Sequence, residues 1–162
     1  QGRTADEGNG KLMSNRPNPV KAAPETYKLM KALSDHTQNS GIKKTLLELV
    51  KIRASQINGC AFCLAMHAQE ARKLGETDHR LLMLSAWDEA GIYSEREKAA
   101  LAWTEALTLI ADSHVSDELY EATRAYFSEA EIVDLSWAIT VINGWNRMMA
   151  AFEVPPMKVA SK

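Results

Sequence analysis

Three features of the sequence predict an all-α fold, a single-domain bundle of about seven helices. No proline occurs between Pro24 and Pro155, so nothing in that stretch removes a backbone donor or drives a ring into the preceding turn. Apolar residues recur there at three-to-four spacing, with few β-branched runs. Residues that start and stop helices punctuate the stretch at intervals of about one helix length.

Taken in order, Pro24 suits the first turn of a helix that turns Tyr27, Met30 and Leu33 inward and stops near Gly41. A second helix, over 43–57, sets Leu46, Leu49, Val50, Arg53 and Ile57 at helical spacing and is interrupted by Asn58-Gly59. A third starts about Cys60, carries both cysteines and ends at Gly75. Thr77 caps a fourth, through Leu81, Leu82, Leu84 and Trp87 to Gly91. Ser94-Glu95-Arg96-Glu97 is a capping box, in which serine and glutamate each satisfy an orphan amide. It opens a helix through Leu101, Trp103, Leu107 and Ile110. Ser116-Asp117-Glu118 opens a sixth, acidic where the helix dipole favours negative charge. A second capping box, Ser128 to Glu131, opens the last helix, which carries Ile132, Leu135, Ile139 and Ile142 and ends before Pro155-Pro156.

Residues 1–12 hold three of the eight glycines and almost nothing apolar, and read as a flexible tail or the remnant of tag removal; residues 13–162 form the helical domain. A net charge of −2 argues against a nucleic-acid partner or a polybasic membrane anchor. No apolar run reaches the roughly 18 residues of a membrane span, and the N-terminus lacks the layout of a secretory signal. The expected location is the cytoplasm. Two cysteines cannot build a disulfide scaffold.

Those two cysteines carry the chemistry. Cys60 and Cys63 are three apart and His67 follows four later. On a helix the three project within an arc of about 60°, so a dithiol sits one turn from a proton carrier. Asn58-Gly59 puts Cys60 at a helix N-terminus, where unpaired amides and the dipole favour a thiolate. By position, then, Cys60 is the more acidic thiol. His67 is placed to take a thiol proton or give one to a leaving alkoxide. Glu48, on the preceding helix, orients His67 if the two helices fold into a hairpin. Two buried hydrophobes and a structural zinc site are the competing readings of the pair. Zinc wants four ligands and the cluster supplies three; His36, His79 and His114 have no spacing to complete it. Haem attachment needs a histidine directly after the second cysteine, where Leu64 stands. No bound cofactor or metal is expected.

The array Glu48-x11-Cys60-x-x-Cys63-x-x-x-His67, in its context LLELVKIRASQINGCAFCLAMHAQEARKLGE, resembles the AhpD-like alkylhydroperoxidase branch of the carboxymuconolactone decarboxylase superfamily. REKAALAWTEALTLI and INGWNR resemble the same branch, and the similarity covers most of residues 14–157. The resemblance implies an all-helical fold around a CxxC-bearing helical hairpin, and a thiol-dependent peroxidase that reduces organic hydroperoxides. It implies Cys63 as the peroxide-attacking thiol, Cys60 as the resolving thiol, and Glu48 and His67 as proton relay. It also implies an external dithiol or lipoyl-type protein reductant, and assembly into trimers or hexamers. One position departs from the family pattern: Phe62 stands where well-known members carry a second relay histidine. The rival readings are a redox-sensing or partner-binding helical module, and lactone decarboxylation, for which a cysteine pair is superfluous.

Other residues have plainer expectations. Trp103, Trp137 and Trp145 fall on apolar faces and read as core. Lys43, Lys44 and Lys51 read as a solvated face, and so does Arg72. Asn143, Asn146 and Arg147 interrupt an apolar helix, at the pocket, at an interface or in solvent. Met66, Met148 and Met149 either fill gaps or rim an apolar pocket.

Overall fold

The computed structural model describes residues 14–157. The tail expected over residues 1–12 lies outside them. Every regular element among the described residues is helical. In order they are α1 (Pro19–Ala22), α2 (Pro24–Gln38), α3 (Lys44–Asn58), α4 (Ala61–Lys73), α5 (Asp78–Met83), a 3-10 turn (Leu84–Ala86), α6 (Trp87–Ala90), α7 (Glu95–Thr108), α8 (Asp117–Arg124) and α9 (Glu129–Ala151).

Two elements differ from expectation. The turn α1, capped by Asn18 Oδ1 on the amides of Val20 and Lys21, precedes the first expected helix. The fourth expected helix is broken into α5, the 3-10 turn and α6. Its tightened turn sets Leu84 wholly inside a cluster with Leu49, Leu81 and Leu101, and Trp87 Nε1 donates to Glu105 at 2.7 Å. The inward side chain is therefore Leu84, while Leu82 faces solvent.

Both capping boxes form as read: Ser94 with Glu97, and Ser128 with Glu131. Thr77 and Ser116 cap α5 and α8. Each such cap contributes about 1 kcal/mol. Arg96 ties the starts of α7 and α9 together, donating to Glu131 at 2.7 Å and lying over the Phe127 ring.

The centre of the molecule is α3, where Leu46 through Val50 are all buried. Leu47 and Val50 join Leu135 and Ile139 of α9 and Trp103 of α7 in one apolar cluster. Leu49 and Ile52 join Leu84 and Leu101 in a second. Ala54 joins both cysteines, Ile142 and Met149 in a third. A helix buried on all sides is apolar all round, so Glu48 in the middle of that run is conspicuous. Each leucine so enclosed contributes roughly 1.5–3 kcal/mol of burial.

Three more apolar expectations fail. Leu33 and Ile110 are exposed, and Trp137 is 52% exposed beside exposed Val133. α9 is apolar enough around its circumference that periodicity does not say which face is covered. Trp103 is buried, with its Nε1 donating to Ser136, and Trp145 is half-buried, with its Nε1 donating to Ser34 of α2.

Candidate active site

The link between α3 and α4 is two residues long, Gly59 and Cys60. Gly59 takes the left-handed conformation, φ 65°, that ends α3. Its amide and that of Cys60 return to the carbonyls of Gln56 and Ser55. The chain thus reverses, and α4 packs along α3. This hairpin brings together residues nineteen positions apart: His67 Nδ1 lies 2.8 Å from Glu48 Oε2. The carboxylate and imidazole that the resemblance pairs do meet.

Glu48 is held by more than His67. Its Oε1 accepts from Lys51 Nζ at 2.9 Å and from Gln38 Nε2 of α2 at 3.2 Å. Lys51 Nζ also donates to Gln38 Oε1. The side chains of Glu48 and Lys51 are only 3% and 13% exposed. Lys51 is therefore not part of a solvated face, as its cluster with Lys43 and Lys44 suggests. It lies one helical turn along α3 from Glu48 and neutralises that buried carboxylate; Lys43 and Lys44 are exposed. Burial by itself would raise the Glu48 pKa. The hydrogen bond from His67 and the charge of Lys51 outweigh it, and the carboxyl sits below its ordinary value.

The cysteines are free thiols, both buried. Cys60 is the N-cap of α4, and its Sγ accepts from the Cys63 amide at 3.4 Å. The sulfur nearest the unpaired amides is thus that of Cys60. Cys63 is wholly enclosed. Burial pushes its thiol pKa well up, the hydrogen bond and electrostatic influence of neighbouring Cys60 push it further, and a hydrogen bond from Asn146 pulls it partly back.

Asn146 was one of three polar residues that sequence left without a role. It is 1% exposed. Its Oδ1 accepts from Asn58 Nδ2 and its Nδ2 donates to Ser55 Oγ, both at 2.9 Å. Asn143 accepts from the same Asn58 amide and donates to Thr108. These amides tie α9 to the end of α3, beneath the thiols. Arg147 is exposed and donates to Asn143. Arg72 is exposed and pairs with Asp78.

A cavity of about 840 Å³ opens over this site. Cys63, His67 and Glu48 line it together with Phe62, Met66, Trp145 and Met149, whereas Cys60 does not. Met148 is exposed and lies outside it. The volume falls in the range of small-molecule sites, which are apolar clefts with a few converging polar groups. Among the described residues no hydrogen bond joins His67 to either thiol. What His67 shares with Cys63 is the cavity wall.

Residues 24–106 match the model of the carboxymuconolactone decarboxylase family. The chain belongs to that family. Within this family it resembles the AhpD-like branch, as the cysteine motif implies. The uncharacterized protein YdfG of Bacillus subtilis (strain 168) is 48% identical over 139 residues, covering 86% of this chain and 95% of YdfG. A crystal structure of an Agrobacterium tumefaciens protein of unknown function, proposed to be the antioxidant defence protein AhpD, superposes with a TM-score of 0.87 at 40% identity. It covers 91% of this chain and 100% of that one. An uncharacterized peroxidase-related protein from Ralstonia eutropha JMP134 shares the fold, with a TM-score of 0.77 at 18% identity, over 86% of this chain and 74% of its own. No helix among the described residues is long and apolar enough to cross a membrane.

Proposed function

We propose that this AhpD-like protein reduces organic hydroperoxides with its cysteine pair and is itself reduced by an external dithiol. The reading is carried by one arrangement: a largely apolar cavity whose wall holds both Cys63 and His67, with His67 bonded to an ionised, buried Glu48. A thiol whose pKa is raised by burial needs a base, and His67 is the titratable group at hand.

The steps balance as follows. His67 takes the Cys63 proton, and the thiolate attacks the terminal oxygen of the hydroperoxide. The O–O bond breaks, the alkoxide leaves with the proton from His67, and Cys63 becomes a sulfenic acid. The Cys60 thiol attacks that sulfur and releases water, closing a Cys60–Cys63 disulfide. Cys60 Sγ already accepts from the Cys63 amide at 3.4 Å, so the two residues are direct neighbours. A dithiol, of a protein or a lipoyl group, then returns two electrons by exchange. Glu48 stabilises the imidazolium formed in the first step. With Phe62 in the place of a second histidine, the direct Glu48–His67 contact makes the relay a two-member one.

Intact mass after alkylation of reduced protein, with and without one equivalent of cumene hydroperoxide, tests this. Both thiols should be lost, dithiothreitol should restore them, and Cys63→Ser should abolish disulfide formation. Two thiols still alkylatable after peroxide would refute the peroxidase reading.

A further inference from the structure

We infer that Lys51 and Gln38 are positioning residues for the Glu48–His67 pair, fixing which nitrogen of His67 faces the reaction as a base. The inference rests on the peroxidase reading for its effect on rate, but its structural content stands on the geometry of this site.

A carboxylate has two oxygens and no preference between them. Here Oε1 is occupied by two donors, Lys51 Nζ and Gln38 Nε2, and Lys51 is itself held by Gln38 Oε1. That triangle spans α2 and α3 and leaves Oε2 alone for His67 Nδ1. An ionised carboxylate only accepts, so Nδ1 must carry a hydrogen. In the neutral ring Nε2 is then the bare nitrogen, the one able to take a thiol proton. Without Lys51 the buried carboxyl would lose the cation that keeps it charged. A protonated carboxyl could donate to Nδ1 instead, and the ring would turn into its other tautomer with Nε2 already protonated.

The charged groups around Glu48 are few. Lys51 lies on its own helix and His67 on α4. Lys44 of α3, Lys31 and Asp35 of α2, and Glu70 and Lys73 of α4 line the same cavity. Lys31 is paired with Asp35 and Lys73 with Glu70, so neither lysine substitutes for Lys51. Nothing in the sequence marks Gln38, because it reaches Glu48 from another helix.

The test uses Lys51→Met, Lys51→Arg and Gln38→Leu in the full chain. One readout is the ring ¹⁵N spectrum of His67, which reports the tautomer whether or not the protein turns over peroxide. The other is the pH profile of kcat/KM with cumene hydroperoxide. In the parent protein the neutral His67 ring should be the Nδ1–H form. In Lys51→Met the acid limb of the profile should move up by about 1–3 pH units, the shift expected when a close opposite charge is lost. The Nε2–H tautomer should appear with it, and Lys51→Arg should restore both. Gln38→Leu, which keeps the ion pair, should show a smaller change of the same sign. A parent tautomer and parent acid limb in Lys51→Met and Gln38→Leu would overturn the inference. Should Lys51→Met not fold, Gln38→Leu and Lys51→Arg decide it by the same spectra. If the parent protein shows no turnover, the peroxidase reading fails and the tautomer alone decides this one.

Discussion

Replacing Glu48 by Gln exchanges one carboxylate oxygen for an NH₂ at nearly constant volume, so packing in α3 is preserved and the electrostatics are not. In the parent, Oε1 accepts from Lys51 and Gln38 and Oε2 accepts from His67. The glutamine carbonyl must stay with the two donors, which turns the NH₂ onto His67 Nδ1 and leaves two formerly charge-assisted bonds neutral or lost. A hydrogen bond to a charged group contributes about 1.5–3 kcal/mol and a neutral one about 0.5–1.5. Two such downgrades amount to about 2 kcal/mol, or a fall in Tm of about 4–8 °C for a chain of this size. The pH dependence carries the sharper signature. The Glu48 pKa is depressed in the folded protein, so its contribution is present above the unfolded value and is lost as pH falls through the folded one. Urea unfolding of both proteins, from pH 7 downward, should therefore show a gap that is constant above pH 4.5, the ordinary value, and closes below it. A variant as stable as the parent at pH 7, or a gap that persists unchanged into strong acid, would refute the assignment of Glu48 as a buried, charged acceptor.

Three further outcomes follow from the same structure. Asn146→Ala removes a buried carboxamide bonded to Asn58 and Ser55 and should cost about 2–3 kcal/mol in denaturant unfolding; it also takes away the donor that eases Cys63 ionisation, so Cys63 should alkylate more slowly at any pH below its pKa. Cys60→Ala removes the neighbouring sulfur whose hydrogen bond and electrostatic influence push the Cys63 pKa up; the pH–rate curve for alkylation of Cys63 should shift to lower pH, though burial keeps it above that of an exposed thiol. Gly59→Ala meets no neighbouring atom but keeps φ 65°, so thermal unfolding should show only the backbone cost of about 1–2 kcal/mol.

The starts of α7 and α9 were legible in sequence because a capping box is local: Ser94 with Glu97 and Ser128 with Glu131 need no distant partner. The candidate array of Glu48, Cys60, Cys63 and His67 was legible for a related reason, since three of its members fall within about two turns, on α4 and its cap. The break over Leu84–Ala86 was not, because no proline or glycine marks it and the choice of Leu84 over Leu82 is made by the leucines of α3 and α7. Lys51 was misread for the same kind of reason. A lysine among lysines reads as solvent-facing until Gln38 is known to lie across from it. Trp137 shows the converse limit: an apolar helix identifies itself as buried somewhere without saying on which side.

The two-residue link at Gly59 and Cys60 makes the distance between Glu48 and His67 a ruler. Each residue inserted into α3 after Glu48, or into α4 before His67, would rotate one group by about 100° away from the other. Deleting a whole turn would slide them apart by about 5.4 Å. No loop lies between them to absorb such a change. Natural variation in chain length is therefore expected beyond this stretch, as in the connection between α7 and α8, and a designer who grafts this pair onto another scaffold must carry all twenty residues from Glu48 to His67 as one uninterrupted piece.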